Sequence, residues 1–228
     1  MESWDVMRLG SYPRQPAHHS RAALGPYRWR PAPSTASGGW FATKGVVRSP
    51  QTLSEADRRL LAAWAADCAE HVVGLFEDEA SHDGRPRALI VRERAFAAGE
   101  LDTAEEIRRR FVGGVGVGEV RAPAAAAAAR AAGQAVAVCH MGAHALGAAA
   151  YAARAAGLAQ PGRPEAVEDE IRWQLDRMSP EVRAALRSLP RVGENSSGPL
   201  GSALLASGEL GTIIRALQDS LSQTNPED

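Results

Sequence analysis

Apolar residues return at intervals of three and four through LSEADRRLLAAWAADCAEHVVGLFEDE. Leu60, Leu61, Trp64, Cys68, Val72 and Leu75 share one side of the helix this spacing predicts. Ser54 followed by Asp57 has the spacing of a capping box, with the shorter carboxylate in place of glutamate, so the helix is expected to open there and to stop near residues 81–84. A second helix is predicted over residues 85–98, with Asp83 as its cap and Gly99 as its stop. A third is predicted over residues 103–111, opened by Thr103 with Glu106 as capping partner. The glycine-rich run VGGVGVGEV, residues 112–120, breaks the pattern. An alanine-rich helical stretch follows over residues 124–156, in which Gly133 either divides two helices or marks a close approach. Beyond PGRP at residues 161–164, helices are predicted over 165–177, from Ser179 with Pro180 in the first turn, and over 208–222, with a loop across 190–202. Alternating β-branched runs of useful length do not occur. The pattern predicts an all-α fold, a compact multi-helix bundle with a long alanine-rich helix.

Composition sharpens that picture. Forty-five alanines against 5% aromatic residues mean that helices can approach closely while each residue buries little apolar area. The first 50 residues carry prolines 13, 16, 26, 31, 33 and 50, which defeat helical periodicity and predict a flexible, poorly structured arm. Three regions result: the arm at 1–50, a helical bundle at 51–189, and a loop, C-terminal helix and tail at 190–228. The last helix is expected to dock or to mediate self-association as a homodimer.

The balance of 26 basic against 27 acidic residues gives a net charge of -1, which argues against a nucleic-acid partner. No stretch has the apolar length of a membrane span, and the N-terminus lacks the pattern of a signal peptide, so no membrane association and a cytoplasmic location are expected. Cys68 and Cys139 form no CxxC motif and read as small buried hydrophobes. The glycine run lacks the lysine of a phosphate-binding loop and follows a helix rather than a strand, so it reads as a connection.

Candidate chemistry gathers in CHMGAHALGAAAYAARAAG, residues 139–157. On a continuous helix His140, His144, Gly147, Tyr151 and Arg154 would share one face, with Gly147 leaving space above the backbone. Asp67 and His71, four residues apart, would face them if the first helix packs alongside. His140, His144 and Tyr151, with Asp67 as an orienting carboxylate, are candidates for acid–base catalysis. Asp67, His71, His140 and His144 are candidate ligands for a divalent metal such as zinc. Ordinary packing is the competing reading for each. HMGAH is not the HExxH motif of zinc proteases, because the glutamate is absent.

The three blocks LSEADRRLLAAWAADCAEHVVGLFEDEASHDGRPRALI, AARAAGQAVAVCHMGAHALGAAAYAARAAG and EDEIRWQLDRM resemble the Imm5-like group of bacterial immunity proteins, over about residues 52–178. The resemblance implies a compact helical bundle associated with toxin or antibiotic loci. Carried over by position, the group's recurrent polar residues would be Asp67, Glu70, Asp83, Arg85, Arg87, His140, His144 and Trp173. The N-terminal arm, the glycine run and the C-terminal segment depart from the group. Two functions follow as expectations. One is an immunity-like binding protein that neutralises a protein toxin or sequesters a small-molecule ligand, through an acidic patch built from residues 77–79, Glu165, Glu168, Asp169 and Glu170. The alternative is a small metal-dependent or acid–base enzyme of natural-product metabolism, using the His140/His144 face.

Overall fold

A computed structural model describes residues 49–110 and 112–223; residues 1–48 of the expected N-terminal arm and Phe111 lie outside the described residues, as does the final tail. The described chain is all-α. Helix α1 spans Glu55–Glu77, α2 Arg85–Ala97, α3 Thr103–Arg109, α4 Pro123–Val136, α5 His144–Ala159, α6 Ala166–Asp176, α7 Pro180–Arg187 and α8 Gly208–Ser222. Helix α1 lies at the centre, against α2, α4 and α5, and α4 and α5 make the most extensive helix pair.

Caps explain several boundaries. The Ser54 hydroxyl oxygen accepts from the Asp57 backbone N–H at 3.1 Å and donates to Asp57 Oδ2 at 2.7 Å, so the capping residues at the start of α1 are those the spacing predicted. At α3 the cap is Asp102, whose Oδ1 accepts from the Glu105 N–H at 2.9 Å, rather than Thr103; Glu106 turns instead to Arg92. Glu79, beyond the end of α1, accepts from the N–H groups of Arg121 and Ala122 and so satisfies donors ahead of α4. Ser179 caps α7, with Pro180 in its first turn.

The alanine-rich stretch is two helices, and it breaks at residues 137–143 rather than at Gly133. The break comes from tertiary partners. The N–H groups of Gly142 and Ala143 donate to the carbonyls of Thr52 and Gln51, at 3.2 and 3.1 Å. Leu53, held at a φ of 61°, packs where a Cβ on Gly142 would lie, 2.7 Å from its Cδ1. Gly133 is a packing glycine inside α4, covered by Val115 of the glycine-rich connection. That connection has Gly113, Gly114 and Gly116 at positive φ, a conformation glycine adopts at little cost. Arg85 ties it down through the Gly113 carbonyl at 3.3 Å.

One core runs through the helices. From α1 it takes Leu61, Trp64, Cys68, Val72 and Phe76, and from α4 and α5 mainly alanines. Leu60, expected on the apolar side, is 39% exposed. The apolar face of α8, Leu210, Ile213, Ile214, Leu217 and Leu221, is buried in the same core, against α5 and α7. Gln51, 1% exposed, fastens the start of the described chain to the loop before α8: its Nε2 donates to the Ser197 carbonyl at 2.7 Å and its Oε1 accepts from the Leu200 N–H at 2.9 Å.

Candidate functional site

The sequence allowed Asp67, His71, His140 and His144 to converge on one site; the structure instead gives Asp67, His71 and His144 separate partners. Asp67 faces α2, where Arg94 donates to its Oδ1 at 2.8 Å. Arg94 also pairs with Glu70, and Arg87 bridges Glu70 and Glu77 at 3.0 and 2.7 Å. Asp83 and Arg85 form a bidentate pair that extends to Glu119. Asp67, Glu70 and Arg87 of the WAADCAE and DGRPR blocks therefore help clasp α1 to α2, while Asp83 and Arg85 tie the start of α2 to the glycine-rich connection and Glu119. Among the described residues no group of three or more His, Cys, Asp or Glu side chains could hold a metal ion.

His144 opens α5, and His140 lies in the turn before it, so the two do not share a continuous helix. The His144 Nδ1–H donates to Gln134 Oε1 of α4 at 2.8 Å, leaving Nε2 as the ring's acceptor. The space above Gly147 is filled by this partner: a Cβ there would stand 2.5 Å from Gln134 Oε1 and 3.1 Å from Leu205 Cδ1. Burial, with smaller contributions from His140 and Arg110, pulls the His144 ring down to about 3. His140 is half-buried and is also lowered, by burial and then by Arg110 and Arg58. Tyr151 is buried on the same helix, and Arg154 pairs with Glu209 of α8 at 3.2 Å.

A second buried polar group lies nearby. Glu93 of α2 is 1% exposed and its Oε1 has no hydrogen-bond partner. Burial first, and then the Glu106 carboxylate, push its carboxyl well above the usual range. The Cys139 thiol is pushed up to about 12, mainly by burial, and Cys68 is raised by burial as well, as expected of inert core thiols.

His71 has the most clearly oriented ring. Its Nδ1–H donates at 2.7 Å to Glu170 Oε2 of α6, whose carboxylate is 4% exposed. Glu170 Oε1 accepts from Gln174 Nε2 at 3.0 Å, and that amide also donates to the Ala149 carbonyl at 3.1 Å. Trp173 stacks on the ring, centroids 3.7 Å apart and planes within 5°. Arg177 covers the Trp173 indole at 4.4 Å. The Nε2 of His71 has no protein partner among the described residues, and the side chain is 41% exposed. It lies on the wall of a groove of about 390 Å³ between α1 and α5, with Val72, Leu75, Ala156 and Ala159 as apolar lining. Asp78, Gln160 and Glu170 supply the groove's other polar groups. Sequence reasoning marked His71 and Trp173 separately but missed Glu170 as a partner, because 99 residues separate it from His71; the glutamate was legible only as one of an acidic run.

Four of the seven carboxylates expected in the acidic patch are already engaged or buried, whereas Asp78, Glu165 and Glu168 are exposed. Glu77 is bound by Arg87, Glu79 by backbone N–H groups, Asp169 by Arg163 and Arg172, and Glu170 is buried. A further groove of about 330 Å³ lies between α7 and α8, but its arginines already have acceptors. Arg187 Nε donates to the Leu221 carbonyl at 2.7 Å, and Arg191 pairs with Asp219 at 2.5 Å.

These features define a helical bundle whose paired charges hold its helices together and which keeps an oriented histidine beside an open groove. The chain belongs to the family described as "Imm-5 like putative immunity protein", whose model matches residues 51–181. The matched region begins at Gln51 and takes in α1 to α6, and so includes both histidine environments. No curated protein and no solved structure matches the chain. No helix among the described residues is long and apolar enough to cross a membrane.

Proposed function

We propose that this chain is an immunity-type binding protein that neutralises an antibacterial agent by holding it in the groove between α1 and α5. The observation that carries the reading is His71, fixed by Glu170 and Trp173 with its Nε2 unpartnered on the groove wall. A rigid polar group on a partly apolar concave surface is an arrangement small ligand sites use, and the volume lies within their usual range. Family membership supports a protective role at a toxin or antibiotic locus. The acidic-patch version of the reading has weaker support, since most of those carboxylates are already bound.

The test is calorimetric titration of the purified chain with the toxin or antibiotic made from its own locus. Ala159 is exposed at the end of α5 and lines the groove, so Ala159→Trp fills the site without opening the core. Binding by the native chain and its loss in this variant, at unchanged melting temperature, are the expected results. Equal binding by the variant rejects the groove.

A second reading, acid–base catalysis by His140 and His144 with Tyr151, draws on one observation: burial lowers both imidazoles, so that each ring is neutral near pH 7 and keeps a nitrogen lone pair. It requires that the agent be chemically altered after incubation, which mass spectrometry of the recovered agent decides. Asp67, engaged by Arg94, would act there only through a rearranged ion pair.

A further inference from the structure

The groove is framed by two helix ends. Gly74, Leu75 and Asp78 belong to the last turn and cap of α1, and Ala156, Ala159 and Gln160 to those of α5. A helix C-terminus carries a partial negative charge of about half a unit from its unpaired carbonyls. Proteins commonly offset that charge with lysine or arginine in the last turn, yet neither α1 nor α5 has a basic residue there. The side chains add to the same sign. The Asp78 carboxylate is exposed and has no partner among the described residues. The Glu170 carboxylate is buried behind His71, whose free Nε2 offers a lone pair when Nδ1 carries the proton. Arg163 reaches the rim through Gln160 Oε1 at 3.3 Å, but its other nitrogen is held by Asp169.

A concave, partly apolar space surrounded by acceptors and negative dipole ends favours positive charge. We propose that the groove between α1 and α5 is a site for a small organic cation: an ammonium or guanidinium group on a short apolar body. The charged head lies between Asp78, the two helix ends and His71 Nε2, and the body lies on Val72, Leu75, Ala156 and Ala159. This inference rests on the immunity-type reading and names its ligand class: the agent neutralised is cationic and small enough for about 390 Å³.

The experiment uses the full chain and three probes with nearly the same body: 2-phenylethylammonium, 2-phenylethanol and 3-phenylpropanoate. Binding is followed by calorimetry and by amide chemical shifts. The ammonium probe is expected to bind about tenfold or more tightly than the alcohol, and the carboxylate more weakly than either. Its shifts should centre on residues 71–78 and 156–160. Asp78→Asn removes an exposed charge and should weaken the ammonium about fivefold while leaving the alcohol and the melting temperature unchanged. Equal affinity for ammonium and alcohol, preference for the carboxylate, or an unaffected Asp78→Asn variant would overturn the assignment. A Gly-Gly-Lys-Gly-Gly peptide binding more tightly than the free ammonium would overturn the small-molecule source in favour of a lysine on a protein. If none of the probes bound while Ala159→Trp still abolished binding of the agent, the cation assignment alone would fall and the groove would stand.

Discussion

Replacing His144 by asparagine removes a titrating ring while keeping an N–H where Nδ1 donates to Gln134 Oε1. The folded ring is lowered from 6.5 to about 3, chiefly by burial. In the unfolded chain the same imidazole takes its proton near the ordinary value. Between those two values the unfolded state binds more protons than the folded state, so stability falls as the pH falls. The steepest slope is about 1.4 kcal/mol per pH unit. Starting from pH 7, where the ring is largely neutral in both states, the contribution lost by pH 5 is about 2 kcal/mol. His140 is lowered too and acts with the same sign, so the informative quantity is the difference between the native chain and His144→Asn. Urea denaturation at half-unit steps from pH 7.5 to 5 measures it. The native curve should fall more steeply than the variant's by about 2 kcal/mol across that interval. Parallel curves would refute the argument, because they would mean that the ring is solvated enough to take its proton in the folded state.

Glu93→Gln should stabilise the chain at pH 7. The folded carboxyl keeps its proton well above the ordinary range, so its burial costs stability as the pH rises past 4.5, and denaturation at pH 7 and pH 4 should show a gain that disappears at the lower pH. Two glycines should respond in opposite directions to alanine. Gly74 has nothing within 4 Å of an added Cβ, so Gly74→Ala gains about 0.5–1 kcal/mol of helix preference. Gly211→Ala drives its Cβ into the Ala206 carbonyl and should lose about 1–3 kcal/mol despite the same preference; thermal melting of both variants checks the pair. Gln51→Ala leaves the Ser197 carbonyl and the Leu200 N–H without their partner. It should cost about 2–3 kcal/mol by urea denaturation, and hydrogen exchange should quicken in the 195–201 loop.

The helical class, the cap at Ser54, the start of α7 at Ser179, and the extents of α2 and α8 were legible because they depend on local chemistry: side chains three or four residues apart, a short capping side chain and a proline in the first turn. The break at residues 137–143 was not, because nothing in AVCHMGA is a strong breaker before Gly142. Its cause is a pair of carbonyls at Gln51 and Thr52, some 90 residues earlier. That break moved His140 off the helix it was expected to share with His144. Periodicity put Asp67 and His71 on one edge of α1 but could not say that Arg94 would claim the first and Glu170 the second. Gly147 was read as leaving space, and the side chain filling it, Gln134, lay within an alanine run that gave no sign of its direction. Charge runs misled for a related reason. EDE at residues 77–79 reads as surface, whereas Glu77 and Glu79 are used to fasten α2 and the start of α4.

The central claim is that protection passes through the groove beside His71. The most direct measurement is survival of a sensitive bacterial strain challenged with the agent from the same locus, while expressing the native chain, Ala159→Trp or His144→Asn at matched levels. Protection by the native chain and by His144→Asn, with none from Ala159→Trp, is the predicted result. Protection by Ala159→Trp, or its loss in His144→Asn alone, would contradict the account and move the site to the turn between α4 and α5.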